Sequence, residues 1–167
     1  SAMKKKIDSL NDVFIEELSD LLSAENQLVK ALPKIAEATT STELKSAINE
    51  HLEQTKKQVN RLQHIFEDLG QKPPRIICRG MKGLLEEGDE VVSRSERSAA
   101  RDAAIIGVAQ RVEHYEIAGY GTAEAHASLL GHAQAQELLH QTLSEEKAAD
   151  RRLNEIALEH INSEANE

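Results

Sequence analysis

The chain has 167 residues, a formal net charge of −9 and only 2% aromatic residues. An acidic protein repels nucleic acid and anionic membrane surfaces, so neither is an expected partner. No stretch reaches the roughly 20 apolar residues needed to cross a bilayer, and no secretory signal sequence is visible. Cys78 is the single cysteine, which excludes an internal disulfide. We therefore expect a cytoplasmic protein, and we interpret Ser1-Ala2 before Met3 as an expression scar.

The residue usage is that of an all-α protein. Ala, Leu, Glu, Lys, Gln and Arg dominate, with only three Pro and eight Gly, so helix formers are abundant and strand formers are scarce. A chain of this length fits one domain with a single core. We assign residues 1–7 to the scar and an N-terminal lead, residues 8–162 to one helical bundle domain, and residues 163–167 to a flexible tail.

Two helices are predicted in the first half of the chain. Apolar residues at spacings of three, four and seven predict a helix over residues 8–37, and Pro33 is expected to bend its last turn or to restart it. Residues 40–43 have the pattern of a capping box, with Thr40 as the N-cap of a second helix that Gly70 ends. The short connection makes these two helices antiparallel neighbours.

The helical pattern is interrupted after residue 70, where a Pro-Pro pair follows and residues 81–92 can hold one short helix. Ser98 is the predicted N-cap of a third long helix that continues to residue 128, and a fourth covers residues 133–161. The order is therefore helical hairpin, long crossover, helical hairpin. This order predicts a four-helix bundle whose crossover carries a short extra helix.

Each of the four long helices carries a metal-ligand type of residue within or beside its apolar stripe. A lone buried carboxylate costs several kcal/mol unless it is protonated, paired or bound to a cation. Carboxylates and imidazole at similar depth on four facing helices are the pattern of a two-metal site in a bundle core. The candidate ligands, in chain order, are Glu25, His51, Gln54, Glu113, Glu116, Glu146 and Asp150.

Taken singly, each candidate also has an ordinary structural explanation. His51 is compatible with a satisfied core histidine, and Glu113 or Glu146 with an ion pair to a nearby basic residue. Helix phase leaves open whether Glu113 or Glu116 points to the centre of the bundle. Four ligand-type residues at similar depth within apolar stripes, one on each helix, favour a metal site over a chance arrangement.

Four segments of the sequence resemble those of one known family. They are residues 51–55 (HLEQT), 78–84 (CRGMKGL), 112–118 (VEHYEIA) and 143–147 (LSEEK). Their joint occurrence, spread over nearly the whole chain, resembles the YciF-like bacterial stress proteins, a branch of the ferritin-like superfamily. The resemblance implies a ferritin-like bundle with a short extra helix, a homodimer, and a role in a stress response.

The wider superfamily implies a di-iron or di-manganese centre that reacts with oxygen or peroxide. Its usual ligands are one Glu on the first helix, Glu-x-x-His on the second, one Glu on the third and Glu-x-x-His on the fourth. The positions that match this pattern are Glu25 on the first helix, Glu113 or Glu116 on the third, and Glu146 on the fourth.

Two departures from that pattern change the expected site. The second helix has His51-x-x-Gln54 in place of Glu-x-x-His, so a neutral amide replaces one bridging charge. The fourth helix has Asp150 four residues after Glu146 and no histidine three residues after it. A site with more oxygen and less nitrogen favours harder ions or binds metal more weakly.

We therefore expect a protein that binds two divalent ions, iron before manganese, and acts in a stress response. As an enzyme it would be a di-iron or di-manganese oxidoreductase with oxidase, ferroxidase or peroxide-handling activity, for which O2 or peroxide is the small-molecule partner. The alternative is a non-catalytic structural or interaction bundle with a degenerate metal site. The sequence leaves the choice between these two open, and a storage shell is a third option.

Overall fold

The structure is a computed structural model that describes residues 5–167, so the expected scar at Ser1-Ala2 lies outside the described residues. All regular secondary structure within residues 5–167 is helical, which confirms the all-α prediction. The assignment of residues 163–167 to a flexible tail stays a prediction. The helices are α1 (Leu10–Ala38), α2 (Thr42–Asp68), α3 (Arg79–Ser93), α4 (Ala99–Leu129) and α5 (Ala133–Ile156), followed by a π-helical turn (Ala157–Ile161) and a last helical turn (Asn162–Ala165).

Helices α1, α2, α4 and α5 form the predicted four-helix bundle. The most extensive contacts join α1 to α2 and α4 to α5, which are the two helical hairpins, while α3 packs on α4 and α1 from the crossover. The ferritin-like order of hairpin, crossover and hairpin is thus confirmed. None of the helices between residues 5 and 167 combines the length and the hydrophobicity that a membrane span needs.

The start of α2 differs by one residue from the prediction. Ser41 Oγ accepts a hydrogen bond from Leu44 N at 3.2 Å, so Ser41 and not Thr40 is the N-cap. The reason lies in another helix. Asp102 of α4 is 1% exposed, and its two carboxylate oxygens accept hydrogen bonds from Thr40 N and Ser41 N, both at 2.8 Å. The turn between α1 and α2 is therefore bound by α4, a contact that local sequence patterns do not contain.

The other helix boundaries follow local rules. Ser98 Oγ accepts from the third amide of α4 at 3.1 Å, as predicted for an N-cap. Gly70 and Gly131 follow α2 and α4 with φ of 64° and 76°, a left-handed conformation that favours glycine after a helix. Helix α1 continues through Pro33 to Ala38 without restarting, so of the two effects expected of Pro33 only a bend of the last turn stays a prediction.

The core consists of two apolar clusters at opposite ends of the bundle. One cluster contains residues 24–38 of α1, the start of α2 and α4 and the end of α5, together with Met81 of α3. The other contains Phe14 to Leu22 of α1, Tyr120, and the far parts of the remaining bundle helices. Between the clusters lies a layer of buried polar residues, which we call the polar layer. Its members are Glu25, His51, Thr55, Gln58, Glu113, Glu116 and Glu146.

Candidate metal centre

Five of the seven predicted ligands are buried together in the polar layer, at least one from each bundle helix. The carboxylates of Glu25, Glu116 and Glu146 are fully buried, Glu113 is 2% exposed and His51 is 8% exposed. One ligand atom each of His51, Glu116 and Glu146 lies within 4.8 Å of the other two. Three helices thus place an imidazole and two carboxylates close enough to share one cation.

Glu113 and Glu116 both face the polar layer, although the sequence left open which of them would. The two residues are three positions apart on α4, and residues at that spacing lie on the same face of a helix. Glu113 Oε1 lies 3.0 Å from His51 Nε2 of α2, close enough for an ion pair if the imidazole is protonated. The contact lacks hydrogen-bond geometry, and neither ring nitrogen of His51 has a hydrogen-bond partner among residues 5–167.

Most of the ligand atoms in the polar layer have no hydrogen-bond partner within the described part of the chain. Buried polar atoms are nearly always paired, because an unpaired one loses its water without compensation. Unpaired oxygens and imidazole nitrogens that converge on one buried volume are the donor set of a divalent cation, so the residues present fit a metal. The unpaired ligand atoms are Glu25 Oε1, His51 Nδ1 and Nε2, Glu113 Oε2, both Glu116 oxygens and both Glu146 oxygens.

Burial favours the protonated form of Glu25, Glu113 and Glu116 when no cation is bound, because it raises their pKa values. Burial raises the pKa of Glu25 to about 8, and the negative charge of Glu146 adds to this rise. Burial also holds the pKa values of Glu113 and Glu116 well above the usual range, again with Glu146 as the main charged neighbour. A metal ion would therefore displace protons from this layer as it binds.

Tyr120 supplies a hydrogen bond to the polar layer. It is 1% exposed, and its hydroxyl donates to Glu25 Oε2 at 3.1 Å. This bond fixes one oxygen of Glu25 and leaves Oε1 unpaired. The other tyrosine of α4, Tyr115, lies outside the layer, where its hydroxyl donates to Asp20 Oδ2 at 2.6 Å and contacts Cys78 Sγ at 3.0 Å.

The two remaining predicted ligands lie at the edge of the polar layer. Gln54 is half-buried and lines an adjoining cavity. Asp150 Oδ2 lies 3.2 Å from His114 Nε2, and Asp150 Oδ1 accepts a hydrogen bond from Gln110 at 3.4 Å. Since Asp150 is already engaged by polar groups of α4, its role as a ligand stays a prediction, as does that of Gln54.

Sequence reasoning missed Gln58, a fully buried amide in the polar layer. Its Nε2 donates to Glu145 Oε1 at 3.2 Å, whereas its Oε1 has no partner within residues 5–167. Glu145 is held in turn by Arg61, through bonds of 2.6 and 2.9 Å. The signal was present in the sequence, because Gln58 follows His51 by seven residues and so lies on the same face two turns later.

The family assignment follows from comparison with known proteins. Residues 9–166 match the family model described as "Domain of unknown function (DUF892)". The chain belongs to the DUF892 family. It is 46% identical over 158 residues to Protein YciF of Escherichia coli K12, an alignment that covers 94% of this chain and 95% of YciF. The resemblance to YciF-like proteins drawn from the four sequence segments is thereby confirmed.

Solved structures of related proteins share the fold of this DUF892 chain. The crystal structure of the E. coli stress protein YciF matches with a TM-score of 0.90 and 45% identity over 93% of this chain and 99% of that chain. YcfI of Rhodopseudomonas palustris, provisionally described as a structural protein, matches with a TM-score of 0.87 and 42% identity over 92% and 98%. A protein of Xanthomonas campestris, at 0.71 and 19% identity over 93% and 92%, supports the fold alone.

Proposed function

We propose that this DUF892 protein binds two divalent ions, iron or manganese, in the polar layer and uses them to handle iron, oxygen or peroxide under stress. One observation carries the proposal. Ligand-type side chains from all four bundle helices share one buried layer, and most of their ligand atoms have no hydrogen-bond partner within residues 5–167. The relation to a stress protein supports the physiological context.

The charges of the layer suit two ions. Four ionised glutamates carry four negative charges, which equals the charge of two divalent cations, and His51 adds a nitrogen donor. When bound, iron or manganese would supply electrons and a Lewis acid to a small oxidant. The chain itself fixes Glu25 through Tyr120, excludes water with two apolar clusters, and releases protons from its raised-pKa acids. The residues that would hold the ions are Glu25, His51, Glu113, Glu116 and Glu146, with Gln54 and Asp150 as outer candidates.

The test is a count of bound metal. The protein is stripped with a chelator, reloaded anaerobically with Fe(II), and assayed for metal per chain and then for consumption of O2 and peroxide. Glu25→Gln and Glu146→Gln keep the side-chain volume and remove one charge each, so both variants should lose at least one equivalent. Glu137→Gln, at an exposed position of α5, is the matched control and should bind as wild type does.

The alternative function is a structural or interaction bundle, favoured by the raised pKa values that let the buried acids remain neutral without metal. The provisional description of YcfI as a structural protein is consistent with it. No Fe(II) uptake by wild type would reject the metal proposal and leave this alternative. We also propose a homodimer, which light scattering would distinguish from the much larger particle of a storage shell.

A further inference from the structure

A cavity of about 240 Å³ adjoins the polar layer on the side of α3. His51 and Glu113 form part of its wall, so it reaches the candidate metal ligands directly. Its apolar walls are contributed by all five helices, for example by Leu32, Leu85 and Ile105. Along α4 it extends from Glu113 to Ile105, eight residues, or about 12 Å at the rise of a helix.

The cavity is partly open at its rim, where Glu50 and Ala148 are exposed, and its uncovered apolar walls would be more stable when shielded from water. Water would not fill it well, because a buried water needs several polar partners and the lining is mostly apolar. The few polar side chains are His51, Glu113 and Gln54 together with Glu50 and Arg152, which pair with each other across α2 and α5. An apolar cavity of 150 Å³ is known to accept benzene, so this larger one has room for a two-ring or comparable aliphatic molecule.

We propose that this cavity binds a small neutral apolar molecule, of the size of a two-ring aromatic hydrocarbon, with one side against His51 and Glu113. An anionic ligand is disfavoured, because Arg152, the one arginine or lysine among the described lining residues, is paired with Glu50, and the whole chain is acidic. This inference rests on the proposed function in one respect, because it names the class of molecule on which the metal centre would act. Binding itself does not require the metal.

The first test measures binding of naphthalene to the metal-free protein by fluorescence titration. Val92→Phe places a ring in the cavity from α3, a helix that carries no candidate ligand, and should weaken binding at least tenfold. Val91→Phe makes the same change at the neighbouring position, which does not line the cavity, and should leave binding unchanged. Equal affinity of wild type and Val92→Phe, with both folded by circular dichroism, would overturn the proposal.

A second measurement keeps the test decisive if Val92→Phe does not fold. Naphthalene protons should show nuclear Overhauser contacts with the methyl groups of Leu85, Val92 and Ile105 in the wild-type protein. Contacts with surface methyls instead, such as those of the exposed Leu129 and Leu158, would overturn the assignment. Naphthalene binding with no metal uptake would support the proposed apolar-ligand site and reject the metal centre. Metal uptake with no naphthalene binding would support the metal centre and reject the apolar-ligand site.

Discussion

At the scale of single residues, the polar layer brings together acids whose negative charges repel one another. Glu25, Glu113 and Glu116 each have raised pKa values, caused first by burial and then by the negative charge of Glu146. An apolar residue of the same volume would stabilise the metal-free fold more than such an acid does. The proposed cation would account for its presence, because it would neutralise the buried charge.

The raised pKa of Glu25 makes the stability of the metal-free protein depend on pH. Between pH 4.5, the ordinary pKa of a glutamate, and about pH 8, the raised pKa of Glu25, the unfolded chain releases a proton that the folded protein keeps. The free energy of unfolding should therefore fall as pH rises through this window and level off above it. Glu25→Gln removes the titration, so we expect a shallower decline and a gain of roughly 1–3 kcal/mol at pH 8. Urea unfolding from pH 5 to 9 measures both effects.

Glu137→Gln is the control for that experiment, because Glu137 is exposed and its substitution should reproduce the wild-type pH profile. A Glu25→Gln profile as steep as that of wild type would show that Glu25 is ionised in the folded protein at neutral pH. The polar layer would then hold more negative charge than its burial suggests.

The sequence predicts those candidate ligands whose position on the apolar face of a helix follows from residue spacing. Glu25, Glu116 and Glu146 lie in the middle of apolar stripes, and the structure buries all three completely. Asp102 was missed because its partners, the amides of the turn between α1 and α2, are about sixty residues away in the chain. No local pattern encodes a contact of that kind.

At the scale of elements, Asp102 connects the second helical hairpin to the first. Its carboxylate accepts two backbone hydrogen bonds at 2.8 Å, from Thr40 N and Ser41 N of the turn between α1 and α2. Asp102→Ala leaves both donors unpaired, which should lower the free energy of unfolding by roughly 2–4 kcal/mol. Asp89→Ala, at an exposed position of α3, should change it by less than about 0.5 kcal/mol. Equal effects of the two substitutions in urea titrations would show that the connection is unimportant.

Helix α3 is held against α4 by the close approach of Gly80 to Tyr115. A Cβ at Gly80 would lie 2.6 Å from Tyr115 Cε2, whereas one at Gly83 would meet nothing within 4 Å. Gly80→Ala should therefore displace the tyrosine from Asp20 and Cys78 and destabilise the protein by about 1–3 kcal/mol. Gly83→Ala should stabilise it by about 0.5–1 kcal/mol, because alanine favours a helix interior. Thermal unfolding of the pair tests this difference in sign, and two changes of the same sign would contradict the packing described for Tyr115.

At the scale of the whole molecule, the bundle was predictable and the cavity was not. Four long helical patterns, two short connections and one long crossover determine the order of helices, because each pattern extends over many turns. The cavity forms where side chains from five helices leave a space between them. It adjoins the polar layer because His51 and Glu113 are part of its lining. The periodicity of one helix carries no information about such a void.

Substitution of an acid in the polar layer should change metal-free stability and metal binding in opposite directions. With an ion at a hundred times its Kd, binding to the folded state alone adds about 2.7 kcal/mol per site, which is about 5–10 °C in Tm for a chain of this size. We expect Mn(II), which avoids oxidation during the scan, to raise the Tm of wild type by this amount for each of the two proposed sites. Glu146→Gln removes the acid that raises the pKa values of its three neighbours, so its metal-free Tm should exceed that of wild type, while the Mn(II) shift should fall by the contribution of at least one site. If Glu146→Gln lowers both the Mn(II) shift and the metal-free Tm, Glu146 supports the fold. If it lowers the Mn(II) shift but raises the metal-free Tm, as we expect, Glu146 serves metal binding at a cost in stability.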